Sequence, residues 1–92
     1  MQEYLYGAEP LGPRVSEVRA IDGYKLYITF TNGEKRLFDA ESLLRFPVFK
    51  PLRNRALFQA VFVANGTIEW PQGIDYCPDT LYLESVPVEG DA

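Results

Sequence analysis

Histidine is absent from all 92 residues, and cysteine occurs once, as Cys77. Without imidazole there is no histidine base, relay or metal ligand, so a Ser-His-Asp centre cannot form within one chain. A single thiol excludes an internal disulfide, a structural zinc cluster and a two-thiol redox pair. No segment approaches the roughly 18 consecutive apolar residues of a membrane helix. The opening Met1-Gln2-Glu3-Tyr4 lacks the positive flank of a secretory leader. Glycines fall singly at turns, so no phosphate-cradling loop is present. These absences lead us to expect a cytoplasmic protein with no cofactor, no bound metal and no membrane contact.

Basic residues are also missing from the last part of the chain. Residues 56 to 92 carry six acids and no Lys or Arg, whereas residues 42 to 55 carry Arg45, Lys50, Arg53 and Arg55 and no acid. These four cations are the candidate anion contacts. The net charge of −4 surrounds them with a field that repels polyanions, which disfavours nucleic acid as a partner.

What the chain does have is apolar and aromatic material: 47% hydrophobic residues, with six Phe, six Tyr and one Trp. That is too much for a disordered segment and suits one domain spanning residues 1–92, with 1–12 and 84–92 as loosely packed ends. So short a chain leaves apolar surface uncovered, which favours self-association.

Three pairs, Asp22-Gly23, Asn32-Gly33 and Asn65-Gly66, mark hairpins, because Gly accepts positive φ freely and Asn or Asp tolerates it. A two-residue Asn32-Gly33 loop places Ile28 opposite Leu37 and Phe30 opposite Lys35 on the core face, with Tyr27 and Phe38 on the mainly polar side. A two-residue Asn65-Gly66 loop gathers Val61, Val63, Ile68 and Trp70 on one face and leaves Phe62 and Glu69 on the other. For the first turn, a three-residue Ile21-Asp22-Gly23 loop aligns Val18 with Leu26 and Ala20 with Tyr24 and keeps Glu17 and Arg19 outside. The pattern predicts strands over 15–20, 24–31 and 34–39.

Between meander and last hairpin the period changes. Asp39 caps a short helix over 40–46, with Leu43, Leu44 and Phe46 as its apolar side and Pro47 as its stop; Pro51 opens a second through Leu52 and Phe58. The tail, punctuated by Pro71, Gly73, Pro78 and Pro87, reads as irregular wrap anchored by Ile74, Leu81, Tyr82 and Leu83. The expected fold class is α+β: an antiparallel three-stranded meander, short helices, a second β-hairpin and an irregular C-terminal wrap.

Candidate interaction residues are Tyr4, Tyr6, Tyr27, Phe62 and Trp70, since Tyr and Trp give rigid contact area with a polar handle. The competing reading places Asp39, Glu69, Asp75 or Asp79 around a Trp70-lined cleft as a small-ligand or divalent-metal site, or an enzyme. Carboxylates near Cys77 are expected to raise its pKa and leave it a buried or semi-buried structural thiol.

Phe30-Thr31-Asn32-Gly33-Glu34, Phe38-Asp39, Phe58, Trp70-Pro71-Gln72-Gly73-Ile74-Asp75 and Pro78-Asp79-Thr80-Leu81-Tyr82 resemble the small bacterial family called domain of unknown function 2442, over about Val15 to Tyr82. The resemblance implies a compact α+β domain, sometimes joined to a C-terminal helix-turn-helix module and sometimes encoded beside another small protein in a toxin-antitoxin-like arrangement. It implies no catalytic residue. Residues 83–92 are too few for a helix-turn-helix, so DNA binding is not expected to carry over. The residues themselves suggest architectural roles: Asn32 and Gly33 set a hairpin, Asp39 caps a helix, and Asp75 holds the turn after Pro71 and Gly73. A non-enzymatic interaction or accessory module follows, regulatory in character, pairing with itself as a homodimer or with a small protein.

Overall fold

The computed structural model describes residues 12–88. In chain order it contains β1 (Val15–Ile21), β2 (Lys25–Phe30), β3 (Lys35–Asp39), two 3₁₀ segments (Ala40–Arg45 and Pro47–Arg53), α1 (Arg55–Gln59), β4 (Phe62–Ala64), β5 (Thr67–Trp70), a 3₁₀ turn (Pro71–Gly73), β6 (Ile74–Tyr76), α2 (Pro78–Glu84) and β7 (Val86–Pro87). The strands form two antiparallel sheets, ordered β1-β2-β3-β7 and β4-β5-β6, which with the short helices make the α+β fold expected. Among the described residues no helix is long and apolar enough to cross a membrane.

The Asn65-Gly66 hairpin has the expected register, Phe62 opposite Glu69, Val63 opposite Ile68 and Ala64 opposite Thr67. Both loop residues take positive φ, 55° and 77°, the tight turn that suits the twist of the strands. The second hairpin differs. Gly33 N–H donates to the Phe30 carbonyl and Phe30 N–H to the Glu34 carbonyl, each at 2.9 Å, so the loop holds Thr31, Asn32 and Gly33. Ile28 therefore pairs with Arg36, Tyr27 with Leu37, Leu26 with Phe38 and Thr29 with Lys35.

That one-residue shift turns β3 over. Phe38, expected on the polar side, is 3% exposed, while Leu37 moves to the outer face beside Tyr27. The physical reason lies in what each face must hold. The larger Phe38 ring reaches Tyr76 at 5.5 Å between centroids, and Arg36 comes within hydrogen-bond reach of Ser85 at the end of α2.

In the first hairpin Val18 pairs with Ile28 and Ala20 with Leu26, two residues from the expected alignment, with Asp22, Gly23 and Tyr24 in the loop. A two-residue shift keeps every side chain on its face. Tyr24 takes a left-handed φ of 59°, a conformation costing a non-glycine residue on the order of 1 kcal/mol. Tertiary contacts offset it: the ring meets Phe58 edge-on at 5.1 Å and the hydroxyl donates to the Arg53 carbonyl.

Asp39 caps the first 3₁₀ segment as expected, its Oδ1 accepting from Glu41 N–H at 3.0 Å. Leu43 and Leu44 are buried, but Phe46 is exposed, because the chain is extended there before Pro47 opens the second segment. Pro51 lies inside that segment, and it is Asn54 that starts α1, its side chain accepting from Ala56 and Leu57 N–H. The predicted irregular wrap is instead β6, α2 and β7. Pro78 occupies the first helical position of α2, where its missing N–H costs nothing. Ile74 and Leu81 anchor this region, whereas Leu83 is 78% exposed. Residues 84–88, placed in a loose end by the sequence, include a buried Ser85 and the β7 partner of β3.

The core lies between the inner face of the first sheet, the helical cover and the second sheet. Trp70, fully buried, stacks on Phe58 at 6.0 Å and donates its indole N–H to the Phe58 carbonyl at 3.0 Å. Trp70→Ala is expected to cost about 3–5 kcal/mol through cavity formation, and Trp70→Phe about 0.5–1.5 kcal/mol by removing the indole hydrogen bond from a carbonyl that keeps the Val61 N–H. Urea unfolding followed by circular dichroism reads both; a near-neutral Trp70→Ala contradicts the packing.

Candidate functional site: a groove beside the outer sheet face

The register of the first sheet sorts its outer face into cross-strand rows. Glu17, Thr29 and Lys35 form one, Arg19, Tyr27, Leu37 and Val86 the next, and Ile21, Lys25 and Asp39 the third. The Arg19 guanidinium lies 5.4 Å from the Tyr27 ring centroid. Beside β1 stands the second sheet, tied there by Val15 N–H donating to the Gly66 carbonyl at 2.8 Å. Val61, Phe62 and Val63 make a wall against the outer face, and the space between is an open groove of about 560 Å³, floored by Glu17, Arg19, Tyr27, Thr29 and Lys35.

Two of the interaction candidates, Tyr27 and Phe62, thus come from different sheets to one groove. Trp70 does not join them: it is sealed in the core, so neither a surface contact nor a Trp70-lined cleft survives. Tyr4 and Tyr6 lie outside the described residues.

The acidic candidates do not converge. Asp39 is a cap, Asp79 sits in the first turn of α2, and Glu69 faces Asp75 across β5 and β6. Asp75 is exposed and on a strand, so it neither closes the turn after Gly73 nor shares a helical face with Asp79; that turn is made by left-handed backbone at Gln72 (φ 77°) and Gly73 (φ 76°). Among the described residues no group of three His, Cys, Asp or Glu is placed to hold a metal ion.

The basic candidates are spread. Arg45 and Arg53 line a shallow depression with Tyr24, Glu41 and Leu44; Arg53 also donates to the Leu44 carbonyl at 3.3 Å. Arg45 lies over Phe46 and Arg55 over Tyr24, at 5.1 and 4.7 Å, and Lys50 is exposed on the second 3₁₀ segment. Stacking and a carbonyl contact hold Arg45, Arg53 and Arg55, and of the four candidates only Arg45 and Arg53 share a depression.

Cys77 is exposed at the start of α2, where a buried or semi-buried thiol was expected. The Thr80 backbone amide draws its thiol below the usual range, outweighing the opposing charge of Asp79. The backbone amides at the start of α2, more than the neighbouring carboxylate, set the state of this thiol.

Arg36 and Ser85, which the sequence reading did not single out, join Glu34 and the motif residues Asn32 and Tyr82 in a clasp. Arg36 donates to Ser85 Oγ at 2.7 Å, to the Ser85 carbonyl at 2.8 Å and to Glu34 Oε1 at 2.7 Å, and its guanidinium lies 4.3 Å from the Tyr82 ring centroid. The Tyr82 hydroxyl donates to Glu34 Oε2 at 2.6 Å, and Asn32 Nδ2 to the same oxygen at 2.9 Å. The Asn32-Gly33-Glu34 segment and the Pro78-Asp79-Thr80-Leu81-Tyr82 segment are bolted together here. The family model for the protein of unknown function DUF2442 matches residues 15–87, both segments included. The chain belongs to this family. Comparison with curated proteins and with solved structures finds no match. In this DUF2442 domain the motif residues hold α2 to the hairpin, and the groove lies on the outer face of the same sheet.

Hydrogen bonds from Tyr82, then Arg36 and Asn32, hold the Glu34 carboxyl below the usual range. A depressed folded pKa contributes stability that is present above the unfolded pKa and lost as pH falls through the folded one. Melting temperatures are expected to drop on acidification below the ordinary glutamate range, with Glu34→Gln flattening that limb; identical acid limbs contradict the clasp.

Proposed function

We propose that this domain is a non-enzymatic protein-interaction module, an accessory or regulatory part that takes a protein partner in the groove between β1 and β4. The observation that carries the reading is the meeting of Tyr27 and Phe62 on one open groove. Aromatic side chains supply binding area at little entropic cost, and the Glu17, Arg19 and Lys35 rim gives the charge pattern that sets register and partner choice. Apolar side chains beside the groove add to it: Phe62 is 44% and Val63 37% exposed, more than a self-sufficient surface needs to leave in water. A cytoplasmic location in a bacterial cell fits the single exposed thiol and belongs to the same reading.

Affinity capture from the native host separates this from the acidic-site reading. Wild-type protein is expected to retain a stoichiometric protein that a folded Tyr27→Ser/Phe62→Ser variant loses, while Asp75→Asn and Asp79→Asn variants keep it. Capture that ignores the groove variant and fails with the aspartate variants reverses the assignment.

A further inference from the structure

Among the described residues one ion pair is closed, Arg36 with Glu34. Arg45, Arg53 and Arg55 therefore carry their charges with no carboxylate at pairing distance among those residues, and all three border Tyr24. Arg45 and Arg53 line the depression of about 410 Å³ that also holds Tyr24, Glu41 and Leu44, and Arg55 lies over the Tyr24 ring. We propose that this depression is a binding site for a phosphate group in its dianionic form, seated between the Arg45 and Arg53 guanidinium groups. It shares no residue with the groove beside β4, so the two sites stand or fall separately.

The chain itself sets both guanidinium groups in place. The Tyr24 hydroxyl donates to the Arg53 carbonyl, and Arg53 Nε–H donates to the carbonyl of Leu44, the residue before Arg45, at 3.3 Å. That bond occupies Nε and leaves both terminal amino groups of Arg53 without a partner among the described residues. Arg45 is braced instead on the Phe46 ring at 5.1 Å. A guanidinium stacked by its face keeps its N–H edge for an oxyanion. Because the carbonyl and the ring already restrict the two side chains, less conformational freedom is lost when a ligand arrives.

Charge selects the ligand. Two arginines line the depression against the single carboxylate of Glu41, and Arg55 adds a third positive charge beside the Tyr24 ring. Lys25 and Asp39, opposite one another in the sheet, offset each other nearby. Like charges sharing one small concavity repel, and an oxyanion between them removes the repulsion while accepting from both forks. A phosphate group on a hydroxyl carries about −1.5 to −2 at pH 7 and three strong acceptor oxygens, so it answers two guanidinium groups where a carboxylate answers one. The net charge of −4 over the whole chain disfavours a polyanion. The ligand is thus a single phosphate, either free in solution or carried on a side chain.

The pH dependence of binding gives a clean signature. The charged groups at the depression are Glu41, Arg45, Arg53 and Arg55, and the chain has no histidine. A change in affinity around pH 6 therefore reports the second ionisation of the phosphate ester, at about pH 6.

NMR of the full chain tests the proposal, following the backbone amides of residues 41–55 and the Nε–H signals of Arg45 and Arg53. Inorganic phosphate and a phosphoserine tripeptide are the probes, with acetate as control, all at constant ionic strength. The expected result is a saturable shift centred on Arg45 and Arg53 with phosphate or the tripeptide, and none with acetate. Tripeptide binding should weaken as the pH falls through about 6. Tighter binding of the tripeptide identifies a phosphorylated side chain as the source, and equal or tighter binding of inorganic phosphate identifies the free ion. Arg45→Gln and Arg53→Gln should each weaken binding by about tenfold, Lys50→Gln should leave it unchanged, and Glu41→Gln should tighten it. Melting temperatures report whether the arginine variants fold, and the Glu41→Gln gain decides the matter without them. No saturable shift at tens of millimolar overturns the site. So does a shift that acetate reproduces, one that ignores pH between about 5 and 7.5, or one that survives both arginine substitutions.

Discussion

The length of the turn between β2 and β3 decides which half of β3 the protein buries. Side chains in a strand alternate with period two, so one residue more or less in the loop exchanges the two faces of everything that follows. With Thr31, Asn32 and Gly33 in the loop, Phe38 goes into the core and Leu37 out to Tyr27. Leu37 then bridges Tyr27 to Val86 of β7, which completes the apolar row of the outer face. The inner and outer surfaces of the domain are two consequences of the same turn.

The clasp is what makes that turn the stable choice. Once β3 is set this way, Arg36 projects toward α2, where Ser85, Tyr82 and Glu34 satisfy its guanidinium, so a half-buried charge is paired rather than stranded. Asn32 contributes twice: its Oδ1 accepts from Glu34 N–H at 3.0 Å and its Nδ2 steadies the Glu34 carboxylate. The segments that mark DUF2442 in the sequence are therefore explained by architecture. They tie α2 to the hairpin and fix the sheet.

The sequence carried the parts of this that depend on neighbours in the chain. The Asn65-Gly66 hairpin, the Asp39 cap and the apolar face of Ile28 and Ile68 follow from local pattern alone. The β3 register does not, because two- and three-residue loops containing Asn-Gly are both good turns, and the choice falls to the distant partners of Phe38 and Arg36. For the same reason α2 was hidden: Pro78 reads as a breaker until its place at the first helical position is known. Trp70 looked like a contact residue because nothing local reveals that the Phe58 carbonyl awaits its indole N–H. Tyr27 and Phe62 were each recognisable as aromatic on a polar face. Their meeting in one groove depends on how the two sheets sit side by side, which no local pattern encodes.

The register of β3 is the claim from which the core, the clasp and the outer face all descend, and cross-strand backbone contacts measured by NMR on the isolated protein test it directly. The account predicts contacts linking Tyr27 with Leu37 and Leu26 with Phe38. Contacts linking Ile28 with Leu37 and Phe30 with Lys35 instead would restore a two-residue turn, put Phe38 on the surface and contradict it.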